Sequence, residues 1–299
     1  MNPLLRLRYL LEYFLTRVFL AVLGCLPLPV IEWIARRVGD IGFYIMPERR
    51  RTALENLSRA FGESLTETQK KNIAIRSFES MALGAVELFL ASKILKDFPD
   101  RFTMSGYENL LKVFQRGKGL VMAISHLGSW ELLSFICRWA NRRGVVVVKR
   151  IRNPYLNKEV NRQRSDIGVA PIIKDQAAKL VFHELKNNHM VGILMDQWAG
   201  SEGAWINFFG HPTSTTTVPV RVARKTGCGI VPGFCLRTGA GKYEFQFLPE
   251  IPISDSGEWE KTATEKLNQV FEEHIRKYPD QWIWGHRRWK TKPSNLREI

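Results

Sequence analysis

A histidine and a carboxylate lie five positions apart in the stretch AISHLGSWELL, residues 123–133. A neutral imidazole can remove a proton from a hydroxyl group near neutral pH, and a carboxylate on its other ring nitrogen supports the charge that develops. We therefore consider His126 as a general base and Glu131 as the carboxylate that orients it. The alternative is that His126 ends a strand and Glu131 is a solvated residue in the first turn of a helix.

The spacing of the pair restricts how the two side chains can meet. On one continuous helix, neighbours on a face are three or four positions apart, so a separation of five is unfavourable. The contact requires His126 in a loop and a helix that starts near Ser129, so that Glu131 folds back towards the ring. We predict this helix over residues 129–141.

From Gly119 onward, short apolar runs alternate with helical segments such as residues 155–167 and 259–278. The runs are GLVMAIS, VVVVK, APII, MVGILM, GIVPGFCLR and KYEFQFLP. This alternation predicts an α/β fold with a mixed, mostly parallel sheet flanked by helices, and Gly239 and Gly241 mark the hairpin of an antiparallel pair.

Polar side chains follow several of these predicted strands. His126 follows the first run, residues 149–152 follow the second, and Asp196 and Gln197 follow MVGILM. Ligands of such sheets bind at the carboxyl ends of the strands. We therefore expect these residues to lie near one another at a ligand site.

The part of the chain before the alternating core is predicted to be helical. Thr66 and Gln69 form a capping-box pattern that opens a long helix to about Leu95. Nearer the N-terminus, residues 18–31 carry no charge, and the segment 4–23 combines arginines with many Leu, Phe and Tyr residues.

The N-terminal composition suits a helix that lies in the membrane surface. We therefore predict a membrane-associating helix over residues 1–35 and a single α/β domain over residues 36–299. A single membrane span and an ordinary core helix are the alternatives, although the uncharged run is shorter than the roughly 20 residues that a spanning helix needs.

The net charge of +15 predicts an attraction to polyanions, which include nucleic acid, anionic membranes, phosphorylated substrates and acidic proteins. The excess is concentrated in residues 142–166 and in the last stretch from Arg276. The four cysteines show no CxxC spacing, so neither a zinc knuckle nor a disulfide framework is indicated.

Further motifs follow HLGSWE in a fixed order: RNP, RSDIG, MDQ, FFGHPTSTT and YPDQWIWGHRRWKTKP. In this order and spacing the sequence resembles the late acyltransferases of lipid A biosynthesis, of the lauroyl and myristoyl transferase type, within the larger lysophospholipid acyltransferase group. The resemblance covers nearly the whole chain, and QWIWGHRRWKTKP is its most specific part. One departure is TTTVP at residues 215–219, where the family often has a TGxGP-like stretch.

The resemblance implies an enzyme at the cytoplasmic face of the inner membrane, either monotopic or held by one N-terminal span. It would transfer an acyl chain from acyl carrier protein to a hydroxyl of a phosphorylated glycolipid, a lipid A precursor. His126 would be the general base and Glu131 its partner, in a motif where many members have aspartate. We expect no metal or cofactor and a monomeric enzyme; a different glycolipid or a lysophospholipid stays open as the acceptor.

Charge develops on the carbonyl oxygen when a hydroxyl attacks a thioester, so a hydrogen-bond donor must stand opposite the base. Arg152 or a backbone amide near Gly128 is a candidate for this donor. Arg150, Arg162 and Arg164 are of the type that binds phosphates, although the last two are equally typical of a solvated helix.

Three other groups of residues have open interpretations. Asp196 and Gln197 either line the substrate site and hold an arginine, or cap a turn after the strand. Phe208 and Phe209 form core or the wall of an acyl pocket. The tryptophans of residues 282–289 form either a membrane-interface belt or a packed C-terminal structure in which arginines pair with buried acids.

Three other classes of protein are less compatible with the sequence. A nucleic-acid binder would suit the basic charge, but no recognition-helix, OB-like or RNP pattern accompanies it. A serine hydrolase would use Ser125 or Ser129, but the chain lacks GxSxG. A metal enzyme would use His126, Glu131 and Asp196, but HExxH or a comparable cluster is missing from the sequence.

Overall fold

The structure is a computed structural model that describes residues 2–173, 177–255 and 257–291. Its strands are β1 (Phe102–Ser105), β2 (Leu120–Gly128), β3 (Gly144–Val148), β4 (Val169–Ile173), β5 (Met190–Leu194), β6 (Ala204–Phe208), β7 (His211–Thr215), β8 (Gly229–Gly239) and β9 (Lys242–Phe247). Its helices are α1 (Pro3–Gly24), α2 (Leu28–Ile45), α3 (Pro47–Phe61), α4 (Glu67–Phe89), α5 (Ala91–Leu95), α6 (Phe98–Arg101), α7 (Tyr107–Phe114), α8 (Phe135–Trp139), α9 (Pro154–Ile167), α10 (Ala177–Lys186), α11 (Val218–Thr226) and α12 (Trp259–Lys277).

Seven strands form the central sheet in the order β1-β9-β8-β2-β5-β3-β4. Within the described residues, β8 and β9 are its antiparallel pair, and the other neighbouring strands are parallel. The predicted α/β fold with a mostly parallel sheet is confirmed, and so is the hairpin, whose turn places Gly241 at φ +59°. The hairpin of β6 and β7 lies outside this sheet.

Strand β2 lies in the middle of the sheet and is covered on both faces. Ala123 and Leu127 belong to a buried cluster that includes Leu267 of α12. Met122 and Ile124 belong to a second cluster that includes Ile136 of α8 and residues of α7. Side chains of a strand alternate between faces, so this near-continuous apolar run is buried on both sides, as in other parallel sheets.

The helical N-terminal part forms largely as its sequence predicts. Thr66 caps α4, with the hydroxyl accepting from the Gln69 amide and the Gln69 side chain accepting from the Thr66 amide. The helix that was predicted to continue to Leu95 breaks at Leu90, where ψ is 13°, and α5 follows as a separate short helix.

Helices α1 and α2 expose much of their apolar surface. Leu4 is 76% exposed, and Phe14 and Trp33 are more than half exposed. Among the described residues, no helix combines the length and the apolar composition that crossing a bilayer requires. The predicted domain boundary at residue 35 lies inside α2.

The predicted helix over residues 129–141 is wrong in its first half. Strand β2 continues to Gly128, and the chain then turns through residues 129–131 into a short 3-10 turn, Leu132–Ser134, before α8 begins. The Ser129 amide donates to the carbonyl of Cys235 on β8, which ties the turn to the neighbouring strand.

Candidate active site

The register of β2 and β5 brings His126 to Asp196. Ile124 pairs with Leu194 in the parallel ladder, so the residues two positions further along each strand are also neighbours. The Met195 amide continues the ladder by donating to the Ile124 carbonyl. His126 and Asp196 therefore meet at the carboxyl edge of the sheet, where ligands of such sheets bind.

Asp196 is fully buried and receives three hydrogen bonds. The backbone amide of His126 and the indole N–H of Trp282 each donate to Oδ2 at 2.7 Å, and Nδ1 of His126 lies 2.7 Å from Oδ1. Burial opposes ionisation of this carboxyl, but the charge and hydrogen bonds of His126, with the Trp282 hydrogen bond, hold its pKa at about 2. Asp196 is therefore a carboxylate at neutral pH.

This carboxylate determines which nitrogen of His126 carries the proton. An ionised carboxylate can only accept, so Nδ1 donates to Asp196 and Nε2 of the neutral ring keeps its lone pair. The His126 side chain is 16% exposed, whereas that of Asp196 is fully covered. Trp130 packs edge-on against the imidazole with 5.2 Å between the ring centroids. His126 thus has the arrangement of a general base with a partly open nitrogen.

Gln197 lies beside that nitrogen. Its side-chain Nε2 is 3.4 Å from Nε2 of His126. Because Nδ1 donates to Asp196, Nε2 of His126 is the acceptor nitrogen, so the Gln197 amide group donates a long hydrogen bond to it. The structure thus brings together three of the predicted site residues, His126, Asp196 and Gln197.

Glu131 does not supply the carboxylate that orients His126. Its two oxygens accept from Nη2 and Nε of Arg164 at 2.6 and 3.0 Å. The cause is the turn after β2, which directs Glu131 towards α9 instead of folding it back along a helix that starts at Ser129. The carboxylate on Nδ1 of His126 comes from Asp196, seventy positions along the chain.

The predicted phosphate-binding arginines are placed differently from one another. Arg164 is largely buried in its pair with Glu131. Arg162 pairs with Glu159 and Asp166 on the surface of α9. Arg150 and Arg152 are exposed between β3 and α9, and these two, rather than Arg164, present guanidinium groups without an ion-pair partner among the described residues.

The C-terminal segment contributes more to the site than its sequence indicates. Trp282 and Trp284 are fully buried rather than part of a membrane-interface belt. Trp282 also pairs with Leu127 of β2 by an isolated bridge, which places its indole against Asp196. The buried Arg288 binds backbone and hydroxyl oxygens, not the acids that were expected. The motif QWIWGHRRWKTKP was the signal for this region; its residues 292 and 293 lie outside the described residues.

His286 lies close enough to His126 and Asp196 for the charges of both residues to affect its pKa. Its pKa is lowered to about 4, chiefly by burial, with the charges of Asp196 and His126 acting in opposite directions. His286 is therefore a neutral ring at physiological pH. Its position beside the pair is not predictable from the sequence beyond its place in the C-terminal motif.

Ser125 and Ser129, the nucleophiles of the hydrolase alternative, are not hydrogen-bonded to His126. Ser129 donates to Glu87 at 2.6 Å, and the hydroxyl of Ser125 is buried without a hydrogen bond among the described residues, so neither serine is set up by His126 as a nucleophile. No group of three or more His, Cys, Asp or Glu side chains suited to a metal occurs in the described ranges.

Phe208 and Phe209 belong to the core. Phe208 is fully buried and packs against Trp282, and Phe209 packs against Trp284. Phe209 adopts φ +52° in the turn of the β6–β7 hairpin, where Gly210 follows at φ +75°. The two rings thus support the C-terminal segment that carries Trp282.

The chain is similar to proteins of one known bacterial family. The family model for the bacterial lipid A biosynthesis acyltransferases matches residues 2–291. The lipid A biosynthesis lauroyltransferase of Escherichia coli (strain K12) is 26% identical over 301 residues, covering 95% of this chain and 94% of the relative. The palmitoleoyltransferase of the same organism is 26% identical over 297 residues, covering 94% and 93%.

A second group of relatives is named for a different activity. The phosphatidylinositol mannoside acyltransferase of Mycobacterium tuberculosis (strain CDC 1551 / Oshkosh) is 24% identical over 198 residues, which is 65% of this chain and 62% of the relative. The family match extends over nearly the whole chain. The chain therefore belongs to the bacterial lipid A biosynthesis acyltransferase family.

Proposed function

We propose that this acyltransferase transfers a fatty acyl chain from acyl carrier protein to a hydroxyl of a phosphorylated glycolipid, a lipid A precursor, and that His126 is its general base. The observation that carries the proposal is the pairing of Nδ1 of His126 with the buried Asp196, which leaves Nε2 as the basic nitrogen. Family membership supports the acyl transfer and the lipid acceptor.

The reaction follows as a direct displacement. Nε2 of His126 removes the proton from the acceptor hydroxyl while its oxygen bonds to the thioester carbonyl carbon. The C–S bond of the tetrahedral intermediate then breaks, and the imidazolium returns the proton to the leaving thiolate. Asp196 stabilises the imidazolium between these steps. An ester and a free thiol result, and neither a metal nor a cofactor takes part.

The developing oxyanion needs a donor on the side opposite the base. A backbone amide near Gly128 and the exposed Arg152 are the candidates from the sequence. Gln197 is placed to bind the acceptor hydroxyl next to Nε2 of His126. Arg164 supports the site through Glu131 instead of contacting a phosphate.

The exposed cations after β3 are suited to both acidic substrates. Lys149, Arg150, Arg152 and Lys158 are exposed around the carboxyl end of β3 and the first turns of α9. We assign them to the phosphates of the acceptor and to the acidic surface of acyl carrier protein. Attraction of this kind weakens with salt, so kcat/KM for the carrier-bound donor should fall as ionic strength rises.

The N-terminal helices are assigned to the membrane surface at the cytoplasmic face of the inner membrane. Apolar side chains project from α1 at Leu4, Leu7, Leu11, Phe14, Leu15 and Val22. Helix α1 is fixed to the catalytic domain because Asn153, the N-cap of α9, donates to the Tyr9 carbonyl and to Glu12. An interfacial helix held in this way would keep the site close to its lipid acceptor.

The phosphatidylinositol mannoside relatives support a second acceptor class, another glycolipid. The two acceptors differ in the sugar and in the placement of phosphate, and the base and its carboxylate would serve both. Mass spectrometry of lipid A from cells that lack and then regain this chain decides between them. Return of one acyl chain to lipid A supports the first acceptor, and unchanged lipid A favours the second.

The base is tested by His126→Ala in a transfer assay with acyl carrier protein as donor. We expect transfer to fall by about 10³-fold or more, since general base catalysis contributes roughly 10² to 10⁴. The matched control is His183→Ala, because His183 is exposed on α10 and bonds only within that helix and to its neighbour Asn187. Transfer close to the unaltered rate in the His126 variant would refute the assignment.

A further inference from the structure

Arg288 is a fully buried cation that the chemistry above does not use. Its Nη1 donates to the carbonyls of Gln197 and Ser214 at 2.9 and 2.8 Å, and Nη2 donates to the hydroxyl of Thr215 at 2.7 Å. The guanidinium also lies over the Phe208 ring, 5.0 Å from its centroid. All of its hydrogen-bond acceptors are neutral oxygens.

This cation is unusual because no carboxylate oxygen among the described residues lies within ion-pair distance of it. Burial lowers its pKa to about 10, against the more distant charges of Asp196 and Glu272, which raise it. The group therefore stays protonated at neutral pH. A buried charge is unfavourable unless something compensates it, and here the three hydrogen bonds of the guanidinium and the charges of Asp196 and Glu272 supply that compensation.

The hydrogen bonds of Arg288 fix the residue that lies beside the base. The guanidinium fork, meaning its Nη1 and Nη2 atoms with their three hydrogen bonds, joins the backbone of Gln197 to β7. These bonds hold the turn after Asp196 in place relative to the β6–β7 hairpin. The side chain of the same Gln197 reaches Nε2 of His126. The C-terminal segment is itself anchored, because Asn56 of α3 donates to the carbonyls of Trp284 and His286.

The charge of Arg288 faces a small set of ionisable groups. Asp196 supplies the negative charge at the end of β5, and Glu272 supplies one from α12. His126 and His286 are the imidazoles of this region, and the charge of Arg288 disfavours protonation of His286. A positive charge at this place therefore opposes the negative charge of Asp196, which favours a proton on His286.

We propose that Arg288 is a positioning residue that holds Gln197 beside Nε2 of His126 and supplies a buried positive charge that opposes the negative charge of Asp196. This inference rests on the proposed function, because it takes His126 to be the base. The inference has two parts that can be measured separately. One is the set of hydrogen bonds that places Gln197, and the other is the positive charge that opposes Asp196.

Two substitutions separate the fork from the charge. Arg288→Lys keeps a cation but cannot bind three oxygens in the planar geometry of a guanidinium. We expect it to lower kcat by about tenfold and to leave the acidic limb of the pH profile of kcat/KM unchanged. Arg288→Gln removes the charge, and we expect the same limb to move to higher pH by roughly 0.5 unit or more, because kcat/KM reports protonation of the free enzyme.

The matched control is Arg276→Gln. Arg276 also stacks on this aromatic cluster, 4.6 Å from the Phe209 centroid, but it is exposed and makes no hydrogen bond to residues 196–198 in the described chain. We expect its kcat and pH profile to match those of the unaltered enzyme. Thermal unfolding of every variant corrects the rates for the folded fraction.

The outcomes distinguish this inference from the proposed function. If both Arg288 variants keep the original kcat and pH profile per folded molecule while His126→Ala is inactive, Arg288 has no positioning role. If His126→Ala stays active, the proposed base is wrong independently of Arg288. If Arg288→Gln does not fold, Arg288→Lys decides: a lower kcat with an unmoved acidic limb supports the inference, and unaltered kinetics overturn it.

Discussion

Two buried carboxylates lie on opposite sides of the end of β2, and their partners differ. Asp196 accepts from the amide and ring of His126 and from Trp282. Glu87 of α4 accepts from Arg237 at 2.6 and 2.7 Å, from Ser129 and from Tyr243. Both carboxylates are fully satisfied, so hydrogen bonding alone does not tell them apart.

The difference lies in whether the partner can change its charge. Arg237 is charged at every physiological pH, and burial raises the pKa values of the Tyr243 hydroxyl and the Cys235 thiol near it. Arg237, Tyr243 and Cys235 therefore keep their protons near neutral pH. The imidazole of His126, by contrast, has a ring nitrogen that can accept a proton, and it is partly open to solvent. A buried carboxylate thus supports chemistry on one side of β2 and packing on the other.

The largest effect on turnover is expected from Asp196→Asn. The amide offers a donor to Nδ1 of His126, so it favours the tautomer that carries its proton on Nε2 and cannot act as a base. In serine proteases the same change lowers kcat by about 10⁴-fold, and we expect a loss of roughly 10³ to 10⁴ in acyl transfer.

The control for that variant is Asp166→Asn on the exposed face of α9, which should keep its transfer rate. Single-turnover transfer with a carrier-bound donor gives the rate of the chemical step, and circular dichroism reports the fold. A folded Asp196→Asn enzyme within tenfold of the normal rate would remove Asp196 from the mechanism.

Glu87→Gln should show the opposite pattern. It leaves Arg237 buried without its countercharge, and breaking a buried ion pair reduces stability by about 3 to 5 kcal/mol. We expect the denaturant midpoint to fall strongly, while kcat per folded molecule changes only a few-fold. Replacing both residues by methionine should restore part of the stability, because the unpaired charge is then gone.

The comparison of the two carboxylates would break down if Glu87→Gln abolished turnover in a stable protein. Ser129 links Glu87 to the turn that follows His126. A loss of that kind would therefore mean that the network around Glu87 sets the geometry of the base through this turn.

The sequence allowed the sheet to be predicted better than the site. Apolar runs such as VVVVK form strands because burial on both faces leaves a local signal, and β3 covers most of this run. The capping box at Thr66 is likewise local. The hairpin of β6 and β7 was not predicted, because HPTST carries little apolar pattern.

The partner of His126 could not be read from local spacing. Glu131 is near in sequence but is turned away by the bend after Gly128, whereas Asp196 is near only because β5 is the neighbour of β2. The sequence indicated Asp196 only by its place directly after a predicted strand. The contact with His126 could be predicted only from the order of the strands in the sheet. The burial of Trp282 against Asp196 likewise depends on how the segment after α12 packs against β2, which the local sequence does not show.

Glu131→Gln shows how much acyl transfer depends on Glu131, which is near His126 in sequence, compared with Asp196, which is seventy positions away. It weakens a bidentate pair with Arg164 that is about 15% exposed, so the turn bearing Trp130 loses part of its support. We expect transfer to fall by roughly tenfold, since displacement of a site by about 1 Å can reduce rates up to 10²-fold. A loss equal to that of Asp196→Asn would show that Glu131 is equally essential to the base.

The smallest effect is expected from His286→Phe, and it appears in stability as a function of pH. The folded-state pKa of His286 is about 4 against an ordinary 6.5, so the unfolded chain binds the extra proton between these values. Stability therefore rises as pH increases from 4 to 6.5 and is lost as pH falls through that window, by at most about 3 kcal/mol. Burial also lowers the pKa of His274, so the variant should flatten this dependence only in part.

Denaturant midpoints of His286→Phe and of the exposed control His183→Ala, measured between pH 4 and 7, check this expectation. His183→Ala should keep the normal pH dependence, and His286→Phe should keep most of its stability because the Nδ1 atom of His286 has no hydrogen-bond partner in the described residues. An unchanged slope in His286→Phe would mean that His286 is not held neutral by burial. Asp196 would then lie beside two imidazoles that can accept a proton, His126 and His286. Its contrast with Glu87 would no longer depend on His126 alone.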